Sequence, residues 1–364
     1  MYRSVILEKE SDRASDLLIA ARGHIPKRLI NDASYDNLIK TASSVPLNFA
    51  LSPFLFECFL DDSSRTADLS FGLFLDCDRP DFNLFGFEQE HSVLQKTISS
   101  LLGKGENRLK SKLSMIWLEY DVGKNAMPIP GLFLTPKIGI PARSAQIVAQ
   151  IRRDLKGQYM NARYSKKIGD IFRQLPHKSF VRQIGIMASR GASAPLRLCL
   201  AGLDHEGRHK IEKFLDCVGY DHAYCDFFSL YKKVEPFIDI CDLAIDITER
   251  IEPSIGLELM IRQRNPQREA AWHHVLRELR GAGLCSQDKI DELLNFYGYD
   301  SIIGNEQRWP RTLADYWKEH QDECCSFLIR SVNHLKICFD PAEGMSAKAY
   351  LKIAHHWKNL NGNI

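Results

Sequence analysis

The segment PFLFECFLDDSSRTADLSFGLFL, residues 53–75, decides the architecture. Phe54, Phe56, Cys58 and Leu60 alternate with Leu55, Glu57 and Phe59, and side chains two apart on a strand share a face. The run stops at Asp61-Asp62-Ser63-Ser64, a turn cluster, and the alternation resumes from Ala67 to Leu75. Two period-two runs around a polar turn signal a hairpin.

The same pattern recurs four times along the chain. Leu113 to Val122 and Gly131 to Ile138 form a second pair, Val181 to Ala188 and Leu196 to Leu203 a third. Leu243 to Thr248 and Ser254 to Arg262 give a fourth, and His334 to Phe339 with Ala347 to Ile353 a fifth. Helical periodicity fills the intervals, over about 88–102, 144–174, 206–218, 227–237, 267–280 and 286–297, and residues 26–44 read as a helical approach. An echo supports repetition: KIEKFLDCVGYD at 210–221 parallels KIDELLNFYGYD at 289–300, each an amphipathic run followed by Gly and Tyr-Asp.

Each strand has two unlike faces. One is apolar: Phe54, Phe56 and Cys58; Ile116 and Leu118; Leu196, Leu198 and Leu200; Leu243, Ile245 and Ile247; Leu257 and Leu259; Leu335 and Ile337; Ala349, Leu351 and Ile353. The other carries Glu57, Asp68, Trp117, Glu119, Arg197, Asp246, Glu258, His334, Lys336, Lys348, Tyr350 and Lys352. An antiparallel sheet with helices on one side has this signature. About ten strands tend to curl or close rather than stay open. Closure turns the polar face into a lumen with room for a ligand. The expected fold class is therefore α/β: a closed antiparallel barrel of about ten strands from five strand-pair plus helix-pair units, helices outside. Residues 1–364 are expected to form a single domain, with 1–50 as a mainly helical lead-in.

Composition narrows the function classes. The chain has 364 residues, with 48 Lys and Arg against 46 Asp and Glu, a net charge of +2. That balance gives no general electrostatic reason to bind nucleic acid or an acidic membrane surface. No apolar run reaches the roughly 18–20 residues of a spanning helix, and the start has no signal-peptide core. A soluble, cytoplasmic protein is expected. Ten cysteines contain no C-x-x-C pair, and several lie in apolar runs such as Leu198-Cys199-Leu200, which favours reduced, buried thiols. P-loop and G-x-G-x-x-G motifs are absent, so no nucleotide cofactor is expected.

Five such units resemble the prenyltransferase barrel, the ABBA fold of aromatic and indole prenyltransferases, over residues 50–356. Pro53-Phe54-Leu55-Phe56-Glu57 resembles the Pro-then-Glu strand that carries the general base of the indole enzymes. Lys348-Ala349-Tyr350 resembles the Lys-x-Tyr pairs in which the amine grips diphosphate and the phenol shields the allyl cation. The family repeats such pairs on even-numbered strands, whereas here the fourth offers Phe133 and Thr135 and the eighth Glu258 and Arg262.

The resemblance implies transfer of a prenyl group from an allylic diphosphate to an aromatic, indole or peptide-borne acceptor. That chemistry needs a cationic cradle, aromatic walls and a base. Lys348, Lys336, Arg197 and Arg262 are the expected diphosphate ligands, Tyr350 and Trp117 the cation shields, and Glu57 the base. Glu119, Asp121, Asp246 and Glu258 would repel one another in one lumen unless cations join them, and magnesium bridging carboxylate and phosphate is one solution. A non-catalytic barrel binding a peptide or small molecule is the alternative. A third reading comes from His205-Glu206-Gly207-Arg208-His209, which fits the H-E-x-x-H pattern of zinc hydrolases but opens a helix directly after a strand.

Overall fold

The computed structural model describes residues 12–45, 47, 53–75, 112–122, 130–137, 148, 162–187, 195–203, 209–221, 224–262 and 267–360. Five hairpins follow one another: β1 (Phe54–Phe59) and β2 (Ala67–Phe74), β3 (Leu113–Tyr120) and β4 (Gly131–Pro136), β5 (Phe180–Ile186) and β6 (Leu196–Ala201), β7 (Ile240–Ile247) and β8 (Ile251–Met260), β10 (Cys324–Asp340) and β11 (Gly344–Asn359). A short β9 (Gly298–Ser301) precedes the last pair. Every neighbour pairs antiparallel in the order β11-β1-β2-β3-β4-β5-β6-β7-β8-β10, and β10 pairs back to β11. The ten strands therefore close into a barrel, as the sequence pattern requires.

Helices lie between the hairpins: α3 (Ala162–Gln174), α4 (His209–Cys217), α5 (Cys225–Val234), α6 (Arg268–Gly281) and α7 (Gln287–Asn295). The apolar strand face packs on them. Phe54, Leu198, Leu257, Leu335 and Ala349 share one buried cluster with Ile171, Ile211, Phe227, Trp272 and Leu293 from these helices. Removing such side chains from water is the main favourable term for the fold, at roughly 25 cal/mol per Å² of apolar surface. One buried cation fixes a helix to a turn: Lys289 on α7 donates from Nζ to the carbonyls of Phe59 (3.0 Å), Asp61 and Ser64 (2.6 Å), where β1 turns into β2.

Elements near both ends of the chain differ from the sequence expectation. Within the expected helical lead-in, the 26–44 reading does not include α1 (Ala14–Ala21), which buries Ala14, Leu17, Leu18 and Ala21, a spacing that makes one helical face. It precedes α2 (Asp32–Ala42), whose N-cap Asn31 accepts from the Ser34 amide at 2.8 Å. Strands β10 and β11 run well beyond the expected 334–339 and 347–353. Only Leu335–Phe339 pairs with β8, and only Lys348–Ile353 with β1, so the remainder leaves the barrel as a two-stranded arm. The arm starts at a bulge between Val332 and His334 and is flanked by β9 and α8 (Arg311–His320), neither of which the periodicity marked. Specific polar contacts hold it: Arg330 donates to Asp300 at 3.1 Å and to the Phe296 carbonyl at 3.2 Å.

The expected helix over 88–102 and most of that over 144–174 lie outside the described residues. In the echoed segments the second Gly, Gly298, opens β9 instead of following a helix as Gly219 does. No described helix is long and apolar enough to cross a membrane. The nine described cysteines are free thiols.

Candidate functional site

Closure turns the polar strand face inward, and the pairing register sets which side chains meet. Glu57 on β1 lies directly opposite Tyr350 on β11, one step from the Phe59–Lys348 pair. Its two oxygens accept from different donors, Lys348 Nζ and the Tyr350 hydroxyl. Burial alone would raise the Glu57 carboxyl. The charges of Lys348 and Lys336 and the two hydrogen bonds outweigh it and hold the pKa at about 2. The Lys348 ammonium also sits 4.5 Å from the centre of the Phe59 ring.

Around the ring, three more cations meet carboxylates on neighbouring or next-but-one strands. Lys336 on β10 donates to Glu258 on β8 at 3.2 Å, and Arg197 on β6 holds Asp246 on β7 through two bonds of 2.8 and 2.9 Å. Arg182 on β5 reaches Asp242 on β7, which is wholly buried. Burial disfavours the charged form of Lys336 and Arg197, but their carboxylate partners raise both above the ordinary range. Both therefore stay charged inside the barrel.

Tyr350 has a second neighbour. The His334 imidazole stacks on its ring with centroids 3.9 Å and planes 17° apart, while Nδ1 lies 2.8 Å from the Asn333 side-chain nitrogen. Burial pushes the His334 pKa down to about 4, with Glu258 opposing, so the ring is neutral near pH 7.

The far wall is aromatic. Gly72, Trp117, Phe133 and Gly185 are successive register partners across β2, β3, β4 and β5. A Cβ on Gly185 would lie 2.5 Å from the Phe133 ring, and one on Gly72 would lie 3.0 Å from the Trp117 ring and collide with the Met115 methyl. The two rings thus lie down over glycine backbone, an arrangement any larger residue would block. With Met187 they form a small apolar cluster apart from the main core. β3 and β4 stand five strands from β8 and β10, so this wall faces Glu258 and Lys336 across the lumen.

Of the residues the sequence singled out, Glu57, Lys348 and Tyr350 meet at one point, while Trp117 stands on the aromatic wall. Lys336 and Arg197 are on the lumen face, each already ion-paired. Arg262 is not: it lies past the end of β8, exposed, its amide donating to Asp239 at 2.7 Å. The four carboxylates expected to share magnesium are not gathered either. Asp246 and Glu258 are bound to Arg197 and Lys336, Glu119 and Asp121 belong to the opposite side, and among the described residues no group of three or more His, Cys, Asp or Glu could hold a metal ion. Neighbouring cations supply the neutralisation that magnesium was expected to give. His205 and Glu206 lie outside the described residues, and His209 is exposed at the start of α4.

Arg182 was missed because a bulge between Val181 and Gln183 breaks the alternation there. The alternation places His334 on the polar face, but its contact with Tyr350 depends on the cross-strand register. Lys352, next on the lumen face after Tyr350, makes no ion pair with any described carboxylate, and burial and the charge of Arg268 lower its pKa.

No family model matches the chain, and no curated protein matches it in sequence. Solved structures do match in shape. Prenyltransferase PriB in its apo form is 12% identical with a TM-score of 0.52, covering 93% of this chain and 94% of that one. A 6-dimethylallyl tryptophan synthase is 11% identical with a TM-score of 0.51, covering 93% and 94%. Strand order, closure, outer helices and these likenesses agree: the chain has the fold of the prenyltransferase barrel.

Proposed function

We propose that this barrel transfers a prenyl group from an allylic diphosphate to an aromatic or indole acceptor, free or carried on a peptide. The observation that carries the reading is a prenyltransferase-type barrel whose lumen sets Lys348 and Tyr350 on Glu57 and faces an aromatic wall of Trp117 and Phe133. Lys348, Lys336 and Arg197 take the diphosphate by exchanging a carboxylate partner for a more highly charged one. Tyr350 and Trp117 flank the allyl cation, whose charge their ring faces stabilise. Glu57 organises Lys348 and Tyr350 while the donor is absent. Magnesium, where present, travels with the diphosphate, since Asp246 and Glu258 are occupied. The free thiols and balanced charge suit a cytoplasmic setting.

One observation favours a second reading, a barrel that binds a ligand without chemistry. All three lumen cations assigned to diphosphate are already neutralised by carboxylates. The two readings separate on incubation with dimethylallyl, geranyl and farnesyl diphosphates and a panel of indoles, phenols and aromatic peptides, followed by mass analysis. Prenylated product supports transfer. Acceptor binding without donor consumption supports the second reading.

A further inference from the structure

Prenyl transfer to an aromatic carbon ends with loss of a proton, so the lumen needs a base beside the acceptor, and a carboxylate with a free lone pair can serve. The carboxylates on the described lumen face, Glu119 apart, have partners, Asp121 among them. Glu57 holds Lys348 and Tyr350, Asp242 holds Arg182, Asp246 holds Arg197, Glu258 holds Lys336, and Asp68 accepts from the Val122 amide at 2.8 Å. Glu119 on β3 makes no hydrogen bond or ion pair with any described residue. Its register partners are Ser70 on β2 and Gly131 on β4, so nothing bulky crosses in front of it from either side. Trp117 is two residues away on the same face, about 7 Å along the strand. An acceptor ring lying on Trp117 therefore has Glu119 at its edge.

We propose that Glu119, rather than Glu57, is the catalytic residue that takes the proton from the prenylated ring. This rests on the prenyl-transfer reading above. The step balances: the C–O bond of the donor breaks and its electron pair leaves with diphosphate, the acceptor's π electrons form the new C–C bond, and the ring proton passes to a Glu119 oxygen as aromaticity returns. The electrostatics agree with the geometry. Burial raises the Glu119 pKa, Glu57 and Asp121 add to the rise, and Arg197 and Lys336 oppose it, leaving about 7. The Tyr350 phenol also feels the Glu119 charge. A base poised near the working pH is the effective kind, whereas Glu57 at about 2 is a weak one.

The test uses the full chain, dimethylallyl diphosphate and its best acceptor from the panel. Turnover of the unaltered protein should rise with pH through about 7. Glu119→Gln should lose about a hundredfold to ten-thousandfold in kcat and lose that pH limb, with donor affinity changed less than threefold. Glu119→Asp should recover part of the rate. Asp68→Asn, altering the other carboxyl raised to about 7, should keep the limb. The proposal is overturned if Glu119→Gln keeps rate and limb, or if the limb vanishes in Asp68→Asn instead. Absence of turnover by the unaltered protein with every donor overturns the functional reading and the base assignment together. The two failures are therefore distinct.

Discussion

The imidazole of His334 covers one face of the Tyr350 ring, with centroids 3.9 Å apart and planes inclined by 17°. A cation can reach only the other face, while the hydroxyl is already spent on Glu57. Tyr350→Phe keeps the stack and the shielding face and loses one hydrogen bond to an ionised group, a cost of about 1.5–3 kcal/mol. Tyr350→Ala removes the ring as well and should cost about 3–5 kcal/mol. Melting temperature beside kcat for the pair checks this: the Phe variant should keep most of its rate and the Ala variant should not. Equal rates in both would remove Tyr350 from the chemistry.

Lys348 also has a structural duty, as the counterion of Glu57. Its removal leaves Glu57 ionised and half-satisfied inside the barrel. For a partly exposed pair, Lys348→Ala should cost about 2–3 kcal/mol. Adding Glu57→Gln to Lys348→Ala should restore most of that stability without restoring donor binding. Denaturant unfolding of the two single variants and the double variant gives the coupling directly. Simple additivity would show that the pair does not interact.

Glycine at 72 and 185 should prove irreplaceable. Gly185→Ala drives a methyl into the Phe133 ring, so the ring must rise into the lumen or the strand must shift, at about 1–3 kcal/mol. Geranyl and farnesyl donors should then lose more activity than dimethylallyl. A variant that matches the original protein in melting temperature and donor preference would contradict the aromatic wall.

The arm outside the barrel should be acid-sensitive. Ser326 Oγ accepts from Trp309 Nε1 at 2.8 Å, so its own proton goes to His355 Nε2, also 2.8 Å away. That bond requires a neutral imidazole, and burial holds the His355 pKa at about 3. With His334 at about 4, both lie below the unfolded value of about 6.5. The unfolded chain thus binds more protons between those values, and stability falls as pH drops from about 6.5 towards 4. His355→Gln should flatten this dependence in melting curves. An unchanged slope would show that His355 does not report on unfolding.

Much of the barrel was legible in the sequence because period-two alternation states both which face is buried and that five hairpins follow one another. Leu198, Leu257 and Ala349 lie on the core side, and Glu57, Lys348 and Tyr350 on the polar side. What escaped was set by register and by irregular backbone. Nothing local says that Glu57 and Tyr350, nearly three hundred positions apart, stand opposite each other. The bulge at Arg182 shifts the alternation, which hid Arg182, and the stacking of His334 on Tyr350 depends on a cross-strand register that no local pattern states. Charges were visible, but their pairing was not. Asp246 and Glu258, read from the sequence as metal carboxylates, are ion-paired with Arg197 and Lys336.

The central claim, that this lumen carries out prenyl transfer, is tested most directly by incubating the purified chain with dimethylallyl diphosphate and the acceptor panel, measuring released diphosphate and product mass together. The account predicts an acceptor heavier by one isoprene unit, with diphosphate released in equal amount and the reaction suppressed by Lys348→Ala in the stability-restoring Glu57→Gln background. Acceptor that stays unmodified with all three donors, in a protein that is folded and binds acceptor, would contradict it.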